Sequence, residues 1–225
     1  MRTAYSPAGA SDLLDGLDTQ AHGPVPLADG AVLLRGFASD ESPELIASLR
    51  LVTEAAPFRH MVTPGGFRMS VAMSNCGSVG WVTERSGYRY SATDPITDKP
   101  WPEMPASFAA LARRAAAEAG YADYIADSCL INRYEPGAKL SLHQDRDEAD
   151  YVKPIVSVSL GLPATFLFGG LERGDRPRRY RMLHSDVAVW GGASRLAYHG
   201  IDKLADGEHP LTGHYRFNLT FRRAR

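Results

Sequence analysis

The sequence of 225 residues predicts a mainly β fold with flanking helices (α+β), built as a sandwich or barrel rather than a parallel α/β sheet. Two observations predict it. Short apolar runs separated by Gly and Pro fill the C-terminal half of the chain, and only two segments carry helix start and stop signals. The predicted strands of that half cover residues 129–134, 155–160, 164–168, 186–190 and 215–222.

The N-terminal third contains one predicted helix. Residues 1–29 are polar, acidic and rich in Gly, Ala and Pro, which predicts a flexible leader. A short apolar strand is expected at residues 31–35. Ser39 or Asp40 is then expected to cap a helix that runs to about Ala55.

The middle of the chain changes character twice. Residues 60–92 lack helical periodicity and mix Gly, Ser and Thr with aromatic residues, a composition typical of strands and loops that bend over a site. Three prolines then precede a second, Ala-rich helix over residues 106–119, which is expected to stop at Gly120.

Composition limits the class of protein. Cys76 and Cys129 stand in no paired-ligand spacing, which argues against a thiolate zinc site or a disulfide scaffold and favours a reducing compartment. The start of the chain lacks the pattern of a secretory signal, and no apolar run reaches the ~20 residues that span a bilayer. We therefore expect a cytoplasmic protein with no membrane partner, and a monomer by default.

Charge is unevenly distributed although the net charge is only −1. A local basic face can steer a polyanion even when the total charge is near zero. A solvated Arg-rich hairpin is the simpler alternative. The arginines concerned are Arg173, Arg176, Arg178, Arg179 and Arg181.

A metal site is predicted from the triplet His143-Gln144-Asp145. Residues two apart in a strand point to the same side, so both side chains can reach one ion. His199, which precedes Gly200 after a β-rich stretch, is the candidate third ligand. Two imidazoles and one carboxylate leave three coordination positions open, which suits non-haem iron(II). The triplet alone arises often by chance, and its position after the turn at residues 136–139 favours the ligand role.

An anion site is predicted on the last strand. Arg216, Asn218 and Arg222 share one side of it in strict alternation, and apolar residues occupy the other side. Buried guanidinium groups are costly unless an anion pairs with them, so this side predicts a carboxylate site. Asn132 and Tyr134 share a side of another strand and could complete it. A half-exposed strand with a polar outer face is the alternative.

These motifs resemble the AlkB family of Fe(II)/2-oxoglutarate-dependent nucleic-acid dealkylases over about residues 31–222. The resemblance implies a double-stranded β-helix (jelly-roll) barrel with an N-terminal extension. It also implies one catalytic domain, residues 30–225, with a nucleotide-recognition lid at about residues 60–92. The shared stretches are residues 61–66, 69–73, 129–134, 136–145, 154–162, 168–171, 189–192, 198–201 and 218–222.

The resemblance implies a role for each predicted residue. His143, Asp145 and His199 would bind iron as the catalytic centre. Arg216 would pair with the distal carboxylate of 2-oxoglutarate, and O2 would be the second co-substrate. The remaining 2-oxoglutarate residues would be Asn132, Tyr134, Asn218 and Arg222, and the substrate-binding residues would be Thr63, Met73, Trp81, Tyr88, Asp147 and Arg173.

The implied reaction is oxidative demethylation of alkylated bases of the 1-methyladenine and 3-methylcytosine type. It is coupled to decarboxylation of 2-oxoglutarate to succinate and releases formaldehyde. The implied partner is methylated DNA, single-stranded or duplex, with RNA as a further candidate. Phe67 stands where the family pattern has Tyr, which removes one hydroxyl from the lid. Two alternatives stay open: a 2-oxoglutarate oxygenase acting on a small molecule or a protein side chain, and a non-catalytic barrel.

Overall fold

The computed structural model describes residues 23–149 and 151–225, which form three antiparallel sheets and two α-helices. The mainly β prediction is confirmed. The strands are β1 (Pro24–Ala28), β2 (Ala31–Leu34), β3 (Arg59–Val62), β4 (Arg68–Gly77), β5 (Gly80–Glu84), β6 (Gly87–Ser91), β7 (Ser128–Tyr134), β8 (Leu140–His143), β9 (Ile155–Gly161), β10 (Ala164–Phe168), β11 (Arg178–Met182), β12 (Val187–Trp190), β13 (His199–Ile201) and β14 (Arg216–Arg222).

The two larger sheets form the jelly-roll barrel. The eight-stranded sheet has the order β1-β2-β12-β9-β14-β7-β4-β3, and the four-stranded sheet has the order β11-β10-β13-β8. One core cluster joins the large sheet to the small one through residues such as Met73, Phe166, Trp190 and Ile201. Strand β14 lies between β9 and β7 and is therefore an inner strand of the large sheet.

The helices α1 (Ser42–Ala55) and α2 (Ala106–Glu118) cover the other side of the large sheet. Leu45 of α1 and Phe108 of α2 are fully buried there, and the Phe108 ring meets Phe221 edge to face at 5.9 Å. Apolar burial of this kind stabilises a large side chain by about 1.5–3 kcal/mol. The helices therefore close the side of the sheet that faces away from the barrel interior.

The predicted cap of α1 is wrong. Glu41 occupies the N-cap position, and a proline lies in the first turn of the helix. The Ser39 hydroxyl donates instead to the carbonyl of Gly36, 2.7 Å away, within the preceding turn. Because proline fixes a helical φ at the first positions of a helix, it sets the start here in place of a side-chain cap.

Ordered structure begins earlier than the predicted leader boundary at residue 29. Strand β1 lies inside that segment and pairs with β2, with Val25 opposite Leu33. Leu27 is buried, whereas the two prolines lie on an edge strand, where a missing N–H is tolerated. The rest of the predicted leader, residues 1–22, lies outside the described residues.

Residues 60–92 form two different structures. Strand β4 is an inner strand of the large sheet, and its residues Val71 and Met73 are buried. Strands β5 and β6 instead form a separate two-stranded sheet, here called the lid hairpin (residues 80–91). Only part of this segment therefore belongs to the large sheet.

The two cysteines are neighbours in space although they are far apart in sequence. Cys76 of β4 lies directly opposite Cys129 of β7, and both are buried free thiols. Across the described residues, no helix is both long and apolar enough to cross a membrane.

Candidate metal centre and its pocket

Three predicted metal ligands converge in the barrel. His143 ends β8 and pairs across the sheet with His199 of β13. Asp145 follows two residues after the strand ends, so it reaches the site from a loop rather than from the predicted strand. One oxygen of Asp145 lies 3.7 Å from Nε2 of His143, and the other lies 3.8 Å from Nε2 of His199. All three ligand atoms fall within 4.8 Å of one another.

Backbone carbonyls fix the orientation of both imidazoles. Nδ1 of His143 lies 2.9 Å from the carbonyl of Ser141, and Nδ1 of His199 lies 3.0 Å from that of Ala197. A carbonyl only accepts, so each Nδ1 carries the proton and each Nε2 keeps its lone pair. The two Nε2 atoms are therefore prepared to bind a metal ion.

The protonation states also suit metal binding. Burial opposes the charge on Asp145, but the guanidinium of Arg222 outweighs it and holds the pKa of Asp145 well below its usual range. Burial, followed by the nearby His143, lowers the pKa of His199 to about 3. A carboxylate and a neutral imidazole are the forms that bind metal ions.

Arg222 lies beside Asp145, the carboxylate of the three predicted metal ligands. Its Nε and one terminal nitrogen donate to the same oxygen of Asp145, at 2.8 and 2.6 Å. Nη1 of Arg222 is buried and has no hydrogen-bond partner among the described residues. The resemblance places Arg222 in the 2-oxoglutarate site, and the structure gives it a direct contact with a metal ligand as well.

Arg216 is the buried cation deeper in the barrel, with 1% of its surface exposed. Its guanidinium donates to the Ser159 hydroxyl at 2.9 and 3.2 Å and lies 4.8 Å from the ring centre of Tyr134. Burial lowers the pKa of Arg216, and Tyr134 opposes that shift. Within the described chain, Nη1 of Arg216 lacks a partner, which is the donor that a ligand carboxylate would satisfy.

The predicted alternation along β14 is confirmed. Arg216, Asn218 and Arg222 are all buried on the barrel side, while Leu219 and Phe221 pack in the cluster with the helices. The alternative of a polar outer side is therefore wrong. The Asn218 amide donates to the Ser157 hydroxyl at 2.7 Å and accepts from the Asn132 amide at 3.3 Å.

One cavity of about 660 Å³ contains the whole site. Its volume lies within the ordinary range for a small-molecule site, and its walls are mixed apolar and polar. All fourteen predicted site residues line it. They are His143, Asp145, His199, Asn132, Tyr134, Arg216, Asn218, Arg222, Thr63, Met73, Trp81, Tyr88, Asp147 and Arg173.

Aromatic side chains of the lid hairpin lie at the mouth of the cavity. The rings of Trp81 and Tyr88 are stacked, with centroids 5.0 Å apart and planes 16° apart. The indole N–H of Trp81 donates to Asp147, and Arg173 lies 5.9 Å from the ring centre of Tyr198. Phe67 also lines the cavity and is 76% exposed.

Two buried charged residues were not predicted as part of the site. Glu148 and Arg195 form an ion pair of 3.1 Å, and Arg195 donates to the backbone carbonyl of Asp145 at 2.8 Å. In sequence, Glu148 is one of several charges after Asp145, and Arg195 is an isolated arginine. Their burial depends on contacts between distant segments, which leave no local pattern.

A family model described as the 2OG-Fe(II) oxygenase superfamily matches residues 30–222. The chain is also 58% identical over 212 residues to the alpha-ketoglutarate-dependent dioxygenase AlkB of Salmonella typhimurium, covering 94% of this chain and 98% of that protein. The chain belongs to the AlkB family of 2OG-Fe(II) oxygenases.

Further comparisons agree with this AlkB-family assignment. The protein of the same name from Escherichia coli is 62% identical over 199 residues, covering 88% of this chain and 92% of that one. The solved structure of OsALKBH1 matches with a TM-score of 0.79 at 28% identity, over 89% of this chain and 100% of that chain. This AlkB-family protein is an Fe(II)- and 2-oxoglutarate-dependent dioxygenase. Its triad fits Fe(II), and the buried Nη1 of Arg216, which has no partner among residues 23–149 and 151–225, fits a carboxylate of 2-oxoglutarate.

Proposed function

We propose that this dioxygenase repairs alkylated nucleic acids by oxidative demethylation of ring nitrogens, as in 1-methyladenine and 3-methylcytosine. One observation carries the proposal: an aromatic pair, Trp81 and Tyr88, lies with the acid Asp147 over the mouth of a cavity whose floor holds the iron triad. This combination suits a flat, cationic heterocycle that must reach a deep metal centre.

The residues at the floor of the cavity bind the metal ion and 2-oxoglutarate. Fe(II), when bound, supplies the activation of O2 that accompanies oxidative decarboxylation of 2-oxoglutarate to succinate. Arg216 binds the distal carboxylate of 2-oxoglutarate by a charge-assisted contact. Apolar side chains of the walls, such as Leu130 and Trp190, keep bulk water away from the reacting groups.

The mouth of the cavity recognises the base. A base methylated at N1 of adenine or N3 of cytosine carries a positive charge, which the Asp147 carboxylate attracts. The same methyl group blocks Watson–Crick pairing, which lowers the cost of flipping the base out of the stack. Aromatic rings of the lid hairpin offer the flipped base a stacking surface. The hydroxymethyl product then breaks down with release of formaldehyde.

A basic surface beside the mouth supports binding of the phosphate backbone. The five arginines between residues 173 and 181 are all exposed, so they reach solvent and a polyanion. One of them, Arg179, forms an ion pair with Asp202, which reduces its contribution to phosphate binding. We propose methylated DNA, single-stranded or duplex, as the substrate, with RNA as a further one.

The proposal includes the organisation of the chain. Residues 30–225 act as a single catalytic domain, a cytoplasmic monomer, with the nucleotide-recognition lid in the segment 60–92. The continuous core between the two sheets supports one domain, and the separate hairpin at residues 80–91, whose Trp81 and Tyr88 line the cavity, supports a lid.

The test is release of formaldehyde and succinate from a 3-methylcytosine oligonucleotide with Fe(II) and 2-oxoglutarate, for wild type and His143→Ala. Lesion-dependent turnover that disappears in the variant is expected. If the wild type forms succinate but leaves the oligonucleotide methylated, the proposed substrate is wrong. A small molecule or a protein side chain would then be the substrate class to examine.

A further inference from the structure

We propose that Tyr90 and Glu148 are positioning residues that couple closure of the lid hairpin to binding of the metal ion by Asp145. The coupling concerns the metal centre and the lid alone. It goes beyond the proposed function, because it holds whether the substrate is a nucleic acid or another molecule.

A continuous series of contacts joins the two places. The hydroxyl of Tyr90, on β6 of the lid hairpin, donates to Oε1 of Glu148 at 2.7 Å. The same Oε1 lies 3.4 Å from Nε of Arg222. Arg222 in turn donates to Oδ2 of Asp145 from Nε and Nη2. Three successive contacts therefore lead from the lid to a metal ligand.

The series is buried and charged. The side chains of Glu148, Arg195, Arg222 and Asp145 expose between 1% and 8% of their surface. The two carboxylates balance the two guanidiniums, so each charge depends on the others. Interactions between charges are strong where water is excluded, and removing one partner is costly. Replacing Glu148 therefore changes the electrostatic environment of Asp145.

Arg222 is the point at which the two carboxylates compete. Its Nε lies 2.8 Å from Asp145 Oδ2 and 3.4 Å from Glu148 Oε1. The hydrogen bond that Tyr90 donates to Oε1 weakens the attraction of Glu148 for Arg222. Arg222 therefore keeps its hydrogen bonds to Asp145. When the lid lifts and Tyr90 leaves, Glu148 competes better for Arg222, and the Asp145 carboxylate is held less firmly.

Because a metal ion binds best to a fixed carboxylate, it favours the state in which Tyr90 is in place. Coupling between two equilibria is reciprocal, so closure of the lid also strengthens metal binding. Burial raises the pKa of Tyr90 well above its usual value, which keeps its hydroxyl a neutral donor.

The lid hairpin offers a matched control. The hydroxyl of Thr83 donates to the carbonyl of Val62 at 2.7 Å, which ties the hairpin to β3. This bond fixes the lid hairpin in place but is not part of the series of contacts that reaches Asp145. The bond from Trp81 to Asp147 also holds the lid, and it ends on an exposed side chain.

The experiment measures Mn(II) affinity and hydrogen exchange of the amides in residues 80–91, with and without Mn(II) plus 2-oxoglutarate. In wild type, the metal is expected to slow exchange in the lid hairpin. Tyr90→Phe is expected to lose most of this slowing and to bind Mn(II) about fivefold more weakly, at the lower end of ordinary coupling. Thr83→Val loosens the hairpin but leaves the bond from Tyr90 to Glu148 in place, so it should exchange faster in both states, keep the metal-dependent slowing, and weaken Mn(II) binding less than Tyr90→Phe does.

The coupling is refuted if Tyr90→Phe keeps wild-type Mn(II) affinity or the full metal-dependent slowing. It is also refuted if Thr83→Val weakens Mn(II) as much as Tyr90→Phe does. Glu148→Gln, which keeps the shape but removes the charge, should reproduce the loss of coupling. No oligonucleotide is used, so failure here is distinct from failure of the demethylation assay.

Discussion

The indole Nε1 of Trp81 lies 2.8 Å from Oδ2 of Asp147, which bonds the lid hairpin to the loop that follows the metal-binding strand. Both residues line the cavity, and the other partner of the indole is the stacked ring of Tyr88. Asp147 therefore holds Trp81 and also places a negative charge at the mouth, where we propose that the base enters.

Asp147→Asn separates these two roles, because the amide oxygen still accepts from Trp81 while the charge is lost. We expect kcat/KM for cationic 3-methylcytosine to fall about tenfold, since a hydrogen bond to a charged group contributes about 1.5–3 kcal/mol. Neutral 3-methylthymine should lose less. Formaldehyde release measures both. Asp206→Asn, an exposed acid outside the cavity lining, is the control, and equal losses on both lesions would contradict the charge role.

Arg216→Lys should weaken 2-oxoglutarate binding. Lysine keeps the charge but lacks the planar pair of donors that a carboxylate accepts. We expect the Kd for 2-oxoglutarate to rise at least about thirtyfold, from a loss of about 2 kcal/mol or more at a buried pair. Ser159→Ala, which removes one support of the guanidinium, should raise it about fivefold. Titration of Mn(II)-loaded protein measures the Kd.

The matched control for Arg216 is Arg179→Lys. Arg179 is exposed and outside the cavity lining, so its replacement should leave 2-oxoglutarate binding unchanged. Wild-type affinity in Arg216→Lys would show that the dicarboxylate binds elsewhere.

Stability should depend on pH through His184 and His209, whose rings lie 4.4 Å apart. Burial, then the neighbouring His209, lowers the pKa of His184, and burial lowers that of His209. The unfolded chain, with histidine near a pKa of about 6.5, then binds more protons than the folded one. Stability is therefore greatest above that pH and falls as the pH drops through it toward the folded values.

Thermal unfolding between pH 7.5 and pH 5.5 measures this effect. His184→Gln should show a smaller fall in Tm over the range than wild type, because one titrating group and its repulsion are gone. His199 contributes equally to the pH dependence of both proteins. The difference between their falls in Tm therefore measures the contribution of His184 and His209. An identical fall in the variant would show that the pair does not control the pH dependence.

Phe67→Ala should weaken nucleic-acid binding with little effect on stability. Phe67 is 76% exposed, so its removal leaves no core cavity, but it lies at the mouth, where a base can stack on it. Stacking of one base contributes about 1–3 kcal/mol, so a loss of affinity of about tenfold is expected. Fluorescence anisotropy with a labelled oligonucleotide measures it. Ile125→Ala, at a site 67% exposed and away from the cavity, should bind as wild type does.

The local patterns of the sequence predicted much of the site. Alternation along β14 assigned its buried side correctly, because a strand has only two sides. Alternation does not show, however, which part of the cavity each residue on that side reaches. Arg216 and Arg222 are six residues apart, about 20 Å along a strand, so they face different parts of the cavity. The contact of Arg222 with Asp145 therefore could not be read from the pattern.

Other features were missed for separate reasons. Strand β1 has the composition of a flexible segment, and it is ordered by pairing with the adjacent strand β2 and by burial of Leu27. The ion pair of Glu148 and Arg195 joins segments that meet only in the folded barrel. The start of α1 was misplaced because Ser39 and Asp40 lie in the turn before the helix, which begins after Glu41 with a proline in its first turn.

The central position of β14 in the large sheet has a consequence for biosynthesis. Strands β9 and β7 are translated well before β14, yet each of them pairs with it rather than with the other. Until β14 emerges from the ribosome, the nascent sheet has two open edges, and pairing of such edges between chains is a common route to aggregation. Because β14 also carries Arg216 and Arg222, a nascent chain lacks both buried arginines that line the cavity until that strand is inserted.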